Sequence, residues 1–196
     1  MIQAFIFDIG KVILDFDFQP ALQRLSLQSS PFDQGELNTL KLSYESGKIS
    51  RLEFLETSHQ LLNFTGTTEE FTHLWQNIFH LNSPMVELIE SLAPRYPLYL
   101  LSNTNDLHVE HFTEKFSVFS HFSGAIYSHE VQLMKPDPAI YAEAIRQFKV
   151  DPQSTVFIDD LAPNIESARK AGFHAIQYDL NAHDALLQSL SNLGVR

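Results

Sequence analysis

No cysteine occurs among the 196 residues. Disulfides, thiolate metal sites and a cysteine nucleophile are therefore excluded. No run of about 18 apolar residues occurs either, so no membrane-spanning helix is expected. Met1 leads directly into an apolar, acid-bounded segment with no basic stretch and no small-residue cleavage site, which reads as the start of a cytoplasmic protein rather than a signal peptide. Internal repeats and low-complexity tracts are absent. Positive charge is scarce: 13 Lys and Arg stand against 24 Asp and Glu, for a net charge of −11. That balance argues against an extended nucleic-acid footprint. An acidic chain that handles an anion needs local positive charge, most simply a bound cation. What is present is ample apolar material, 44% of residues with 16 Phe, enough for a packed core. The length suits one large domain, or a core with a small insert.

Ile2–Phe7 is a short apolar run ending at Asp8, the pattern of a buried parallel strand. Leu98–Leu101, Gly124–Tyr127, Thr155–Ile158 and His174–Tyr178 read the same way. Helical patterns separate them at Asp106–Phe116, Pro138–Phe148, Pro163–Ala171 and His183–Leu193. Strands alternating with helices predict a three-layer α/β/α fold around a Rossmann-like parallel sheet. The stretch from Phe18 to Phe79 holds no convincing strand. Ser50 with Glu53 and Thr67 with Glu70 are capping-box patterns that open helices, and Pro20 and Pro84 suit first-turn positions. This stretch is expected to be an inserted four-helix cap, with hinges near 16–18 and 81–84. The division is thus 1–16 and 82–196 for the core, and 17–81 for the cap.

Polar residues sit at or just past four of the expected strands: Asp8, Ser102–Asn103, Lys135 and Asp159–Asp160. Open parallel sheets bind ligands at the carboxyl ends of their strands, so the topology would gather residues that are far apart in sequence. A carboxylate ending an apolar strand, as Asp8 does, is poorly solvated unless a cation or donors meet it. Gly10 permits a tight turn beside it. Asp159 and Asp160 repel each other, and a divalent cation with its preference for hard oxygen ligands would relieve that. Asn164, near the start of the next helix, is placed to hold a metal-bound water. Ser102 and Asn103 offer a hydroxyl and an amide or backbone N–H to phosphate oxygens. Lys135 lies in a loop stiffened by Pro136 and Pro138 and would offset clustered negative charge. Singly, each also admits a plain role: a turn or helix cap for the acids, a strand-end turn for Ser102–Asn103, a solvated surface position for Lys135. The nine His include His108 and His111 on one helix face, but no HExxH-type spacing supports a histidine metal site.

Taken together, these segments resemble the four motifs of haloacid dehalogenase-like hydrolases. Phe5-Ile6-Phe7-Asp8-Ile9-Gly10-Lys11-Val12 is similar to the first and Ser102-Asn103-Thr104-Asn105 to the second. Lys135-Pro136-Asp137-Pro138-Ala139-Ile140-Tyr141 is similar to the third. Phe157-Ile158-Asp159-Asp160, with Asn164 and Ala171-Gly172, is similar to the fourth. Glu45-Ser46-Gly47-Lys48-Ile49-Ser50 resembles a segment of the helical cap. The branch with α-glucose-1-phosphate phosphatase and the soluble epoxide hydrolase phosphatase domain is the most similar. The resemblance implies a phosphatase acting on a small phosphorylated metabolite such as a sugar phosphate. Asp8 would be the nucleophile that forms an aspartyl-phosphate. Mg²⁺ would be held by Asp8, the Gly10 carbonyl and Asp160, with Asp159 and Asn164 in or near its shell. Ser102, Asn103 and Lys135 would bind the phosphoryl group. The expected partner is that small molecule, with neither nucleic acid nor membrane, and the protein a monomer or homodimer.

The chain departs from the family where most of its phosphatases carry a second Asp, two residues after the nucleophile, as general acid/base. Here that position is Gly10, and Asp15 and Asp17 are the neighbouring acids that would substitute. Gln132 is a smaller departure, where a Gly is commoner. The competing readings are a metal-free 2-haloacid dehalogenase, a non-catalytic binding or regulatory member of the same fold, and a phosphomutase.

Overall fold

The computed structural model describes residues 1–18 and 34–195. Its centre is a five-stranded parallel sheet of β1 (Ala4–Phe7), β4 (Leu98–Ser102), β5 (Gly124–Tyr127), β6 (Thr155–Asp159) and β7 (His174–Gln177). The order is β5-β4-β1-β6-β7. The first strand of the chain is therefore the middle of the sheet. Phe7 lies beside Leu100 on one flank and Ile158 on the other. That register brings the carboxyl ends of β1, β4 and β6 to one edge.

Alternation along β1 sorts its side chains between two layers. Phe5 and Phe7 pack with Met85 and Ile89 of α4 (Ser83–Leu92), Phe112 of α5 (Asp106–Lys115), and Leu186 and Leu190 of α9 (His183–Asn192). Ile6 joins Ile140 and Tyr141 of α7 (Pro138–Phe148) and Ile165 of α8 (Ala162–Lys170) on the opposite face. The three-layer expectation holds.

The insert contributes α1 (Gln34–Glu45), α2 (Arg51–Leu62) and α3 (Thr68–Gln76). Both capping boxes form: Ser50 and Glu53 exchange hydrogen bonds at the start of α2, as do Thr67 and Glu70 at α3. Phe54, Phe71, Trp75 and Leu62 make an apolar cluster of their own, joined by Leu107 from α5. The remaining expected helix, with Pro20, falls outside the described residues. At the hinges the reading needs correction, because no strand was expected there. Leu14–Phe16 (β2) pairs antiparallel with Phe79–Leu81 (β3), with Asp15 opposite His80. Three-residue strands are too short to show an alternating period, and their partner lies more than 60 residues away in the chain. A short helix, α6 (Ser128–Val131), also follows β5 unforeseen. No helix among the described residues is long and apolar enough to cross a membrane.

Candidate functional site

Asp8 follows β1, and its backbone N–H donates to the Ile158 carbonyl (2.8 Å), which ties its position to β6. Asp159 ends β6 and Asp160 follows it. One carboxylate oxygen from each of Asp8, Asp159 and Asp160 lies within 4.8 Å of the others. Lys135 enters from the loop before α7. Its Nζ sits 2.8 Å from Asp8 and 2.7 Å from Asp159. Its side chain is only 1% exposed, so this is no solvated surface lysine. Burial disfavours its charge, yet the two carboxylates outweigh that and hold its pKa above the ordinary value.

One lysine among three carboxylates leaves two negative charges uncompensated. Burial, and the charges of Asp8 and Asp159, push Asp160 up to about 6. Burial also raises Asp8, against the pull of Lys135. Hard oxygens with excess negative charge, two of them on the buried Asp8 and Asp159, suit a divalent cation. The residues present therefore fit Mg²⁺.

The partners differ in how free they are. Asp159 is saturated: it accepts from Leu161 N–H (2.9 Å), from Asn164 Nδ2 (2.9 and 3.0 Å) and from Lys135. Asn164 is buried at the start of α8, with its amide donated to Asp159 rather than to the centre of the cluster. Asp159 therefore also caps the turn into α8, one of the plain roles it admitted, while it shares the carboxylate cluster. Ser102 is buried at the end of β4. The Asn103 side chain is spent on Lys135: its Nδ2 donates to the Lys135 carbonyl and its Oδ1 accepts from the Lys135 N–H, both at 2.9 Å. Its amide thereby aims the lysine. His108 is buried and makes no metal site. Its ring nitrogens face the Trp75 carbonyl (3.1 Å) and Asn105 Nδ2 (3.2 Å).

A cavity of about 110 Å³ opens beside Gly10, Ser102 and Asn103. Its other walls include Phe16 and Phe79 from the ribbon, and Lys41 and Glu45 from the end of α1. Sequence reasoning missed these wall residues. The Glu45-Ser46-Gly47 pattern was the one signal, and it pointed to the insert without indicating a direction. Gly47 has φ +67°, and a Cβ there would lie 2.3 Å from the His129 carbonyl oxygen, so only Gly lets this segment approach the core.

A family model of haloacid dehalogenase-like hydrolases matches residues 2–172. The chain is 29% identical to a D-ribitol-5-phosphate phosphatase of Bacteroides thetaiotaomicron over 189 residues, covering 90% of this chain and 92% of that protein. It is 23% identical to a phosphorylated carbohydrates phosphatase of Thermotoga maritima, covering 95% and 91%. Among solved structures, a haloacid dehalogenase-like family hydrolase from Porphyromonas gingivalis superimposes with a TM-score of 0.83 at 27% identity, covering 97% and 98%. A Bacteroides thetaiotaomicron enzyme of the same fold, solved with magnesium and inorganic phosphate, has a TM-score of 0.83 at 23% identity, covering 92% and 96%. With the family model spanning most of the sequence, and the acids and lysine of its motif-like segments meeting at one sheet edge, the chain belongs to the haloacid dehalogenase-like hydrolases.

Proposed function

We propose that this chain is a Mg²⁺-dependent phosphatase that hydrolyses a small phosphorylated carbohydrate through an aspartyl-phosphate on Asp8. The observation that carries the reading is the carboxylate cluster of Asp8, Asp159 and Asp160, bridged by buried Lys135 at the edge of a parallel sheet. The two phosphatase relatives act on phosphorylated sugars or a sugar alcohol by name, which supports the substrate class. The cavity beside Gly10, bordered by Ser102 and Asn103, is where the leaving group would lie. Segment 17–81 is the cap, and 1–16 with 82–196 the catalytic core.

In this mechanism an Asp8 carboxylate oxygen attacks phosphorus while Ser102, the Asn103 N–H and Lys135 hold the phosphoryl oxygens. The P–O ester bond breaks, and water then hydrolyses the aspartyl-phosphate. Asp8, the Gly10 carbonyl and Asp160 would hold Mg²⁺, with Asp159 and Asn164 behind them, and the ion would supply charge neutralisation at the phosphoryl group. Positioning and charge neutralisation carry such reactions. A metal-free dehalogenase is disfavoured, because Asp160 beside two other acids would then be uncompensated.

Hydrolysis of p-nitrophenyl phosphate in Mg²⁺ tests the reading. Asp8→Asn should lose roughly 10⁴-fold or more in kcat, the scale seen when a nucleophile is removed, while its circular dichroism stays native. Near-wild-type turnover by that variant would rule out the covalent route. Full activity in excess EDTA would rule out the metal.

A further inference from the structure

Gly10 leaves the reaction without the carboxylate that would protonate a leaving group, and a side chain there would crowd Phe16. A Cβ at Gly10 would lie 3.0 Å from Phe16 Cε1. That ring is held edge-on by Phe18 and Phe79, with Lys11 Nζ 4.7 Å over its face. The two acids nearest in sequence do not replace it. Phe16 lines the cavity, so alternation puts Asp15 on the other face of β2. There Asp15 is paired with Lys11 and accepts from the Phe16 N–H (2.8 Å). Hydrogen bonding to Lys11 holds its carboxyl below the usual range, so it has no proton to give. Asp17 is exposed.

Glu45 is different. It is the last residue of α1, is 8% exposed, and borders the same cavity as Gly10 and Ser102. Its backbone is docked on the core: Ser128 Oγ donates to the Glu45 carbonyl, and Gln132 Nε2 donates to the Gly47 carbonyl (3.3 Å). Its only ion-pair partner among the described residues is Lys41, at 3.7 Å.

We propose that Glu45, delivered by the cap, is the general acid and base of this site, in place of the carboxylate that Gly10 lacks. The assignment rests on the phosphatase reading. Burial, with the charge of Asp8, pushes the Glu45 carboxyl up to about 7 against the pull of Lys41, and proton transfer is most effective when that value lies near the working pH. As Asp8 attacks, the P–O ester bond breaks, its electron pair stays on the leaving oxygen, and that oxygen takes the Glu45 proton to depart as an alcohol. In the second half, Glu45 carboxylate takes a proton from the attacking water. The new P–O bond forms, the Asp8–phosphorus bond breaks, and inorganic phosphate leaves with Asp8 and Glu45 restored.

The test compares wild type with Glu45→Gln, which keeps size and docking but carries no acidic proton. Both are assayed on p-nitrophenyl phosphate, whose leaving group departs as an anion, and on a polyol phosphate, whose alkoxide must be protonated. The loss in kcat/KM, which reports formation of the aspartyl-phosphate and not its hydrolysis, should on the polyol phosphate exceed that on p-nitrophenyl phosphate by about 10²-fold or more, and Glu45→Asp should recover part of the difference. Equal losses on both substrates, or none on either, overturn the role of Glu45 and leave the phosphatase reading intact. Absence of Mg²⁺-dependent turnover by wild type on both overturns that reading and this one together.

Discussion

At Gly10 the constraint on a side chain is steric rather than conformational. Its backbone is not in the left-handed region, in contrast to Gly47 and Gly172, whereas Phe16 stands where a Cβ would project. Gly10→Asp should therefore overpack the turn and destabilise the metal-free protein by about 1–3 kcal/mol. Phe16→Leu, made with it, should relieve the crowding. In urea unfolding the double variant should lose less than the sum of the single losses, by about 0.5–3 kcal/mol, the range for residues in contact. Strict additivity would show that Phe16 does not limit the position. Lys135 teaches a related lesson. In sequence it was one lysine just ahead of Pro136 and Pro138, and its burial between Asp8 and Asp159 arises because Asn103, 32 residues away, clasps its backbone.

The elements of the insert meet the core at two polar seams. Tyr44 on α1 and Arg51 on α2 both hydrogen-bond Asp106 at the start of α5, and Arg51 also reaches Glu110. Deeper in, His108 of α5 spans Asn105 and the Trp75 carbonyl of α3, packed against the Phe79 and Trp75 rings. Burial pushes this imidazole down to about 3, with Lys41 and His111 adding to the effect and Asp106 opposing it. A group depressed in the folded state stays neutral there while the unfolded chain takes up a proton below its ordinary value near 6.5. The stability that His108 contributes is thus complete above that value and falls as pH drops toward 3. From about pH 7.5 to about pH 5 the loss should be about 2 kcal/mol. The check is urea unfolding of wild type and His108→Gln at both pH values: the destabilisation caused by the substitution should shrink by that amount. A difference independent of pH would mean that the ring titrates in the folded protein as it does in the unfolded chain.

For the molecule as a whole, the net charge of −11 and the acid cluster make cation binding a stability matter as well as a catalytic one. A ligand that binds only the folded state at about 100 times its Kd stabilises by about 2.7 kcal/mol, which for a chain of this size is roughly 5–10 °C in Tm. Mg²⁺ should raise the melting temperature on that scale, and Asp160→Asn should remove most of the shift. Equal shifts in both proteins would place the cation elsewhere, whatever the activity shows.

Most of the elements were legible in the sequence because β1, β4 and β6 are mainly apolar runs and helices such as α2 and α3 open on capping boxes, Ser50–Glu53 and Thr67–Glu70, whereas β2, β3 and α6 carry no such local signal. The acids of the site were legible because they stand at or just past strand ends, and parallel strands bring such residues to one edge; Lys135 lies beyond both β5 and α6, and its place is set by the loop before α7. What tertiary structure decided is which atoms remain free. Strand ends show that Asp159, Asn164 and Asn103 are near the site, yet only packing shows that Asp159 is saturated and that each amide holds a neighbour. The β2–β3 ribbon pairs segments more than 60 residues apart, and Glu45 reaches the cavity through a docking contact made by Gly47 and Ser128. Local propensity and periodicity report on a residue and its near neighbours. Space filled by a distant ring, or a carboxylate brought in by another element, is set by the packing of the whole chain.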